Sequence, residues 1–161
     1  MMKNLLIVIL SSLVFLSCNS IKEYYETGEL KATGKTTNGL KYGKWKVYHE
    51  NGKLRQIGKF NLNKQNGEWR FFHDNGNKEG IGNLENGKMV DKWIWNHPNG
   101  KIYTERLYES GKLMEIISCF DGYGNKLFKG SLEKGNGSLN NYDIEGNLLE
   151  VHNFENGKFK N

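Results

Sequence analysis

One proline in 161 residues, two cysteines, and no apolar run longer than about 12 residues set the first limits on this chain. A single proline beside twenty glycines argues against a disordered linker and for many tight turns. Two cysteines, Cys18 and Cys119, are too few for a disulfide framework. The chain carries no block of like charge. Its net charge is +5, and its lysines are dispersed in the way of a solvated surface rather than a polyanion-binding face. Gly-x-Ser-x-Gly, His-Glu-x-x-His and phosphate-loop motifs are missing. Hydrolysis by paired carboxylates would need two acids converging in a cleft, whereas most acids here fall in turn-like stretches.

What is present begins with a targeting segment. Lys3 precedes an apolar stretch from Leu5 to Leu16, too short to span a bilayer comfortably but suited to a signal-peptide core. It ends in Phe15-Leu16-Ser17-Cys18. A small residue and then Cys directly after the apolar run resembles a bacterial lipobox, with Phe15 where Leu is usual. The resemblance implies cleavage before Cys18 and diacylglyceryl attachment to its sulfur. It divides the chain into a lipoprotein signal peptide at 1–17, a tether at 18–23 and a mature domain at 24–161. An ordinary signal peptide with a chance Cys is the alternative. With Cys18 lipidated, Cys119 stands alone and reads as a small core residue.

The mature domain is a repeat. A turn glycine recurs at Gly28, Gly52, Gly76, Gly100, Gly124 and Gly146, with spacings of 24, 24, 24, 24 and 22. Four positions before each lies Tyr24, Tyr48, Phe72, Asn96, Phe120 or Tyr142. Eleven positions after each lies Gly39, Asn63, Gly87, Gly111, Gly135 or Gly157. Trp45, Trp69 and Trp93 make a further column that weakens to Ile117 and Leu139. Each unit reads as strand, tight turn, strand. In His97-Pro98-Asn99-Gly100 the only proline takes the second place of a type I turn closed by a left-handed glycine, where its fixed φ is already required. The expected fold is all-β: an elongated antiparallel meander of stacked hairpins, about six repeats and roughly twelve strands in one sheet. Gly34, Gly58, Gly82 and Gly130 fall where a strand interior is expected, and an aromatic ring lying on bare backbone accounts for them.

The pattern Tyr48-x-x-Asn51-Gly52-x-Leu54-x-x-x-Gly58-x-Phe60, followed by Gly67-x-Trp69, is similar to MORN repeats. It is closest in wording to the MORN-variant repeats of bacterial proteins labelled YwqK-family antitoxins. Later units depart from it: Arg106 and His152 replace the strand glycine, and Asp91 and Glu115 replace the glycine before the Trp column. The resemblance implies an elongated sheet with a scaffolding or binding role, and no catalytic residues.

His49, His73 and His97 share one column, which tempts a metal reading. One repeat is two strands, so equivalent positions lie about 10 Å apart. Zinc ligands sit within about 4 Å of one another, so adjacent repeats cannot share an ion. The column continues as Tyr25, Asp121 and Asp143, as expected for the first residue of a turn. No metal, cofactor or catalytic residue is expected. The reading is a lipid-anchored envelope protein, not an enzyme, that presents a binding or scaffolding surface to a protein or envelope polymer. The bacterial outer membrane is the expected location. Export argues against nucleic acid as partner. Lys46, Lys53, Arg55 and Arg70 are the candidate binding face, because the first three units repeat a basic-polar character and hold the cleanest motif. The rival reading is an antitoxin-like inhibitor of a co-encoded toxic protein.

Overall fold

A computed structural model describes residues 18–160, with only the backbone of Cys18. The signal peptide expected at 1–17 lies outside the described residues, as does the Cys18 side chain on which lipidation is expected. Nine strands follow one another: β1 (Cys18–Tyr24), β2 (Leu30–Thr37), β3 (Leu40–Tyr48), β4 (Leu54–Asn61), β5 (Lys64–Phe72), β6 (Lys78–Glu85), β7 (Lys88–Asn96), β8 (Ile102–Glu109) and β9 (Lys112–Cys119). Each pairs antiparallel with the next, giving a meander in strict chain order. Residues 18–23 are therefore not a tether. They form β1, in register with β2 from Cys18 opposite Thr37 to Tyr24 opposite Leu30. The turn at Tyr25–Gly28 needs a strand on each side, and this segment is the first of the two.

Two kinds of turn alternate. At one edge the Gly52 amide donates to His49 O (2.9 Å) and the His49 amide to Lys53 O (2.8 Å), closing a type I turn with a glycine bulge. The six turn glycines all have φ between +78° and +98°. At the other edge each connection has two central residues with positive φ, as in Asn86 (+52°) and Gly87 (+81°). That is the type I′ geometry, whose twist matches the flanking strands.

The tryptophans supply the core of the meander. β3 bulges opposite Gly34, with Gly43 at φ +68° two residues before Trp45, and β5 does the same with Gly67 before Trp69. In β7 Asp91 takes this left-handed place at φ +59°. The bulge turns each indole back over the preceding strand. A Cβ on Gly34, Gly58 or Gly82 would lie 2.2–2.3 Å from Cδ2 of Trp45, Trp69 or Trp93 respectively. Each Nε1 donates to the carbonyl one residue beyond that glycine: Lys35 (2.9 Å), Lys59 (3.2 Å) and Asn83 (3.1 Å). So the glycine removes a clash, the ring covers bare backbone, and the one polar atom of the ring is satisfied. Trp69 and Trp93 are fully buried and pack with Phe60, Leu84, Phe71, Met89 and Trp95. A single-layer sheet thereby acquires a core without a second layer.

After β9 the meander stops. Residues 120–136 run irregularly along its outer edge: the Leu127 amide donates to Cys119 O (2.9 Å), Lys129 Nζ to Ile116 O, and the Gly135 amide to Met114 O (2.8 Å). The chain then forms a separate sheet of β10 (Gly137–Tyr142), β11 (Leu148–Glu155) and β12 (Lys158–Lys160). The twelve strands thus divide into nine and three. Gly130 is not a strand glycine under a ring. It has φ +91°, and a Cβ there would lie 2.2 Å from Ser138 O. In this half Ile116 replaces the indole opposite Arg106. Leu113 and Ile116 instead form a core with Leu132 and Leu139 from the folded-back segment.

Candidate functional site

Alternation along the strands sorts the side chains of the nine-stranded sheet into two faces. One face carries the indoles. On the other, register partners line up across successive strands as Lys46, Ile57, Arg70, Ile81, Ile94 and Glu105. Lys46 and Arg70 are exposed, and Ile57 between them is half-buried, as are Ile81 and Ile94 beyond. Arg55 lies two residues before Ile57 on β4 and points to the same face. Around a shallow depression of about 370 Å³ on that face stand Lys44, Ile57, Lys59, Glu68 and Arg70. Arg70 is bound to Glu68 at 2.7 Å, and both are largely exposed, so the pair adds little stability.

The structure therefore brings together three of the four basic residues expected to form a face: Lys46, Arg55 and Arg70. Lys53 is elsewhere, at the turn edge, where its Nζ donates to Asn75 O at 3.0 Å. It is part of a side-chain ladder that sequence reasoning reduced to turn preference. His49, His73 and His97 each donate from Nε2 to the carbonyl 23 residues ahead, on Phe72 (2.8 Å), Asn96 (3.0 Å) and Phe120 (3.0 Å). A carbonyl only accepts, so the proton is on Nε2. Tyr25 Oη does the same to Tyr48 O at 2.7 Å. Asn51, Asn75 and Asn99 donate from Nδ2 to Asp74 O, Pro98 O and Gly122 O, at 2.7–2.8 Å. The constant spacing of 24 was the available signal: each side chain reaches the carbonyl just before the next member of the column and so ties each turn to the next. Among the described residues no cluster of three or more His, Cys, Asp or Glu is placed to hold a metal ion.

At Asp121 and Asp143 the ladder changes character. Each carboxylate turns inward and caps its own loop. Asp121 Oδ1 accepts from the amides of Tyr123, Gly124 and Asn125, at 2.8–2.9 Å. Burial acts to raise the Asp121 carboxyl, but these bonds and that from the Asn125 side chain hold it below the usual range. Asp143 is lowered likewise, first by the Asn147 side chain. Charge also changes sign along the array. Asp91, Glu109, Glu115, Glu133 and Lys134 surround a depression near the far end of the sheet. Cys119 is buried in the described structure as a free thiol, and burial raises its pKa.

Stacked, nearly identical hairpins with one exposed polar face define a β-repeat protein, whose recurring positions present a surface rather than a pocket. Three stretches, at residues 41–61, 65–86 and 92–110, match the family profile of the MORN repeat variant. These are the repeats that contain Trp45, Trp69 and Trp93. No curated protein matches the chain. One of the solved structures similar to it is the crystal structure of accessory secretory protein 1,2 and 3 in Streptococcus pneumoniae. Identity there is 18% and the TM-score 0.35, over 60% of this chain. The chain spans 18% of that protein's length.

Proposed function

We propose that this chain is a non-catalytic repeat protein of the cell envelope, anchored through a lipid on Cys18, that binds a protein or envelope-polymer partner on the polar face of its first three repeats. The observation that carries the reading is the row Lys46–Ile57–Arg70, with Arg55 beside it: exposed cations alternating with half-buried isoleucines on a rigid sheet. Such a row offers charge for orientation and apolar area for affinity. The reading is also supported by the match of these same repeats to the MORN variant. An inhibitor of a co-encoded toxic protein would use the same face, and the identity of the captured partner separates the two.

The anchor is tested by metabolic labelling with a palmitate analogue. Wild type should carry label and sediment with membranes, and Cys18→Ala should lose both. A labelled Cys18→Ala protein would sink the lipoprotein reading.

A further inference from the structure

Arg106 breaks the repeat in a way that packing does not explain. In the earlier repeats the residue paired across the sheet from an indole is glycine: Gly58 from Trp45 and Gly82 from Trp69. Opposite Trp93 the chain places Arg106. A guanidinium on the aromatic face of a sheet is costly unless it is neutralised. Its Nε is buried and has no hydrogen-bond partner, and among the described residues Arg106 forms no ion pair. The carboxylate of Glu105, its chain neighbour, is engaged with Lys92 (3.0 Å).

The same side chain lines an open groove of about 490 Å³ between residues of the nine-stranded sheet and of the three-stranded one. Tyr108, Leu113, Leu139, Phe154 and Phe159 supply its apolar walls. The Phe154 and Phe159 rings meet edge to face, with centroids 6.0 Å apart. Lys158 adds a donor at the lining, beside His152 and Asn141, whose amide is engaged with Glu150 (3.4 Å) and His152 (3.3 Å). The volume falls in the range of small-molecule sites, and so does the composition, apolar walls with a few convergent donors. This is also where the chain leaves its repeat, and departures from local rules concentrate at functional sites.

We propose that this groove binds a small monocarboxylate with an apolar body, its carboxylate held by Arg106 and its body against Phe154, Phe159 and Leu139. The planar guanidinium fork matches a carboxylate with two parallel N–H···O bonds. Lys158 adds a second positive charge, which selects an anion over an alcohol of the same length. A tail of several carbons fills the walls, which acetate cannot do. The site lies on the aromatic side, apart from Lys46 and Arg70, so its failure leaves the binding-face reading standing.

Octanoate is the probe, titrated into the purified full chain by calorimetry, with octan-1-ol and acetate alongside. Saturable octanoate binding is expected at or below about 1 mM, with octanol and acetate each at least about tenfold weaker. Arg106→Leu removes a half-buried guanidinium whose Nε has no partner, so it should melt close to wild type and weaken octanoate at least about tenfold. Octanoate-induced methyl shifts in wild type should centre on Leu113 and Leu139, a readout that needs no variant to fold. No saturable octanoate binding, octanol bound as tightly, shifts centred elsewhere, or equal affinity in a folded Arg106→Leu would each overturn the proposal.

Discussion

The first three repeats and the last two units solve the same problem differently. In the first three, each indole lies on a glycine of the preceding strand, and the sheet needs no second layer. In the last two, the chain folds back along β9 and encloses a small aliphatic core of Leu113, Ile116, Leu132 and Leu139. The difference traces to a few side chains. Where glycine and tryptophan alternate at the right register, the meander continues. Where Arg106 and Ile116 stand in those places, nothing holds the next hairpin flat, and the chain closes the edge instead. Closure has a use. An open strand edge templates aggregation, and the edge of β9 is covered: the Leu127 and Gly135 amides donate to its carbonyls, and its Leu113 amide donates to Gly157 O. The charge follows the same division, basic over the glycine–tryptophan repeats and acidic toward the closed end.

The largest effect that should separate the two regions is over-packing beneath an indole. Gly58→Ala puts a methyl 2.3 Å from Trp69 Cδ2, against a ring with no free space. It should cost about 1–3 kcal/mol or more in chemical denaturation. His152→Ala, at the equivalent place in the last unit, loses partly exposed contacts with Glu150, Asn141 and the Phe159 ring and creates no clash, so it should cost less, about 1 kcal/mol or under. Equal losses would show that the indole lock is not what distinguishes the regions.

Backbone strain comes next. Gly76 has φ +94°, so Gly76→Val should cost on the order of 1–2 kcal/mol, while Lys53→Ala, which gives up one exposed bond to Asn75 O, should shift the melting curve little. A Gly76→Val protein that melts like wild type would contradict the turn geometry.

A smaller effect lies in acid. The Asp121 and Asp143 carboxyls are lowered in the folded chain, whereas an unfolded Asp titrates near pH 3.9. Their stabilising contribution is therefore whole above about pH 4 and is lost as pH falls through the lowered folded values. The equivalent turn positions in the first four units are Tyr25, His49, His73 and His97, which have no carboxylate to lose. Hydrogen exchange followed downward from pH 5 should show the closed end opening first, and Asp121→Asn should flatten that part of the profile. Opening that starts at the tryptophan repeats would reverse the comparison.

Much of this was legible in the chain and some was not, for physical reasons. The glycine columns and the tryptophan column announce their geometry because each place demands one residue type: a left-handed turn, or bare backbone under a ring. Residues 18–23 were misread because the lipobox reading absorbed them, although the turn at Gly28 required a strand before it. The break after β9 was hidden because Gly124, Gly135 and Gly146 keep the turn rhythm while the packing that makes it a sheet has gone. Gly130 shows the limit well: it lies on the period of Gly34, Gly58 and Gly82, yet it faces the Ser138 carbonyl rather than an indole. The basic face was partly legible. Alternation places Lys46, Arg55 and Arg70 together, but the tie from Lys53 to Asn75 O depends on how successive turns stack, which no local pattern shows.

The most direct test of the account sets the two regions against each other as partner surfaces. Crosslinked capture from native envelope is quantified for wild type, for Arg55→Glu with Arg70→Glu, and for Lys126→Glu with Lys134→Glu. All four altered positions are exposed, and exposed charges contribute little stability, so melting temperatures should stay close to wild type. The account predicts that the first pair loses most of the captured partner and the second pair loses little. Equal loss at both ends, or none at either, would contradict the placement of the binding face on the tryptophan repeats.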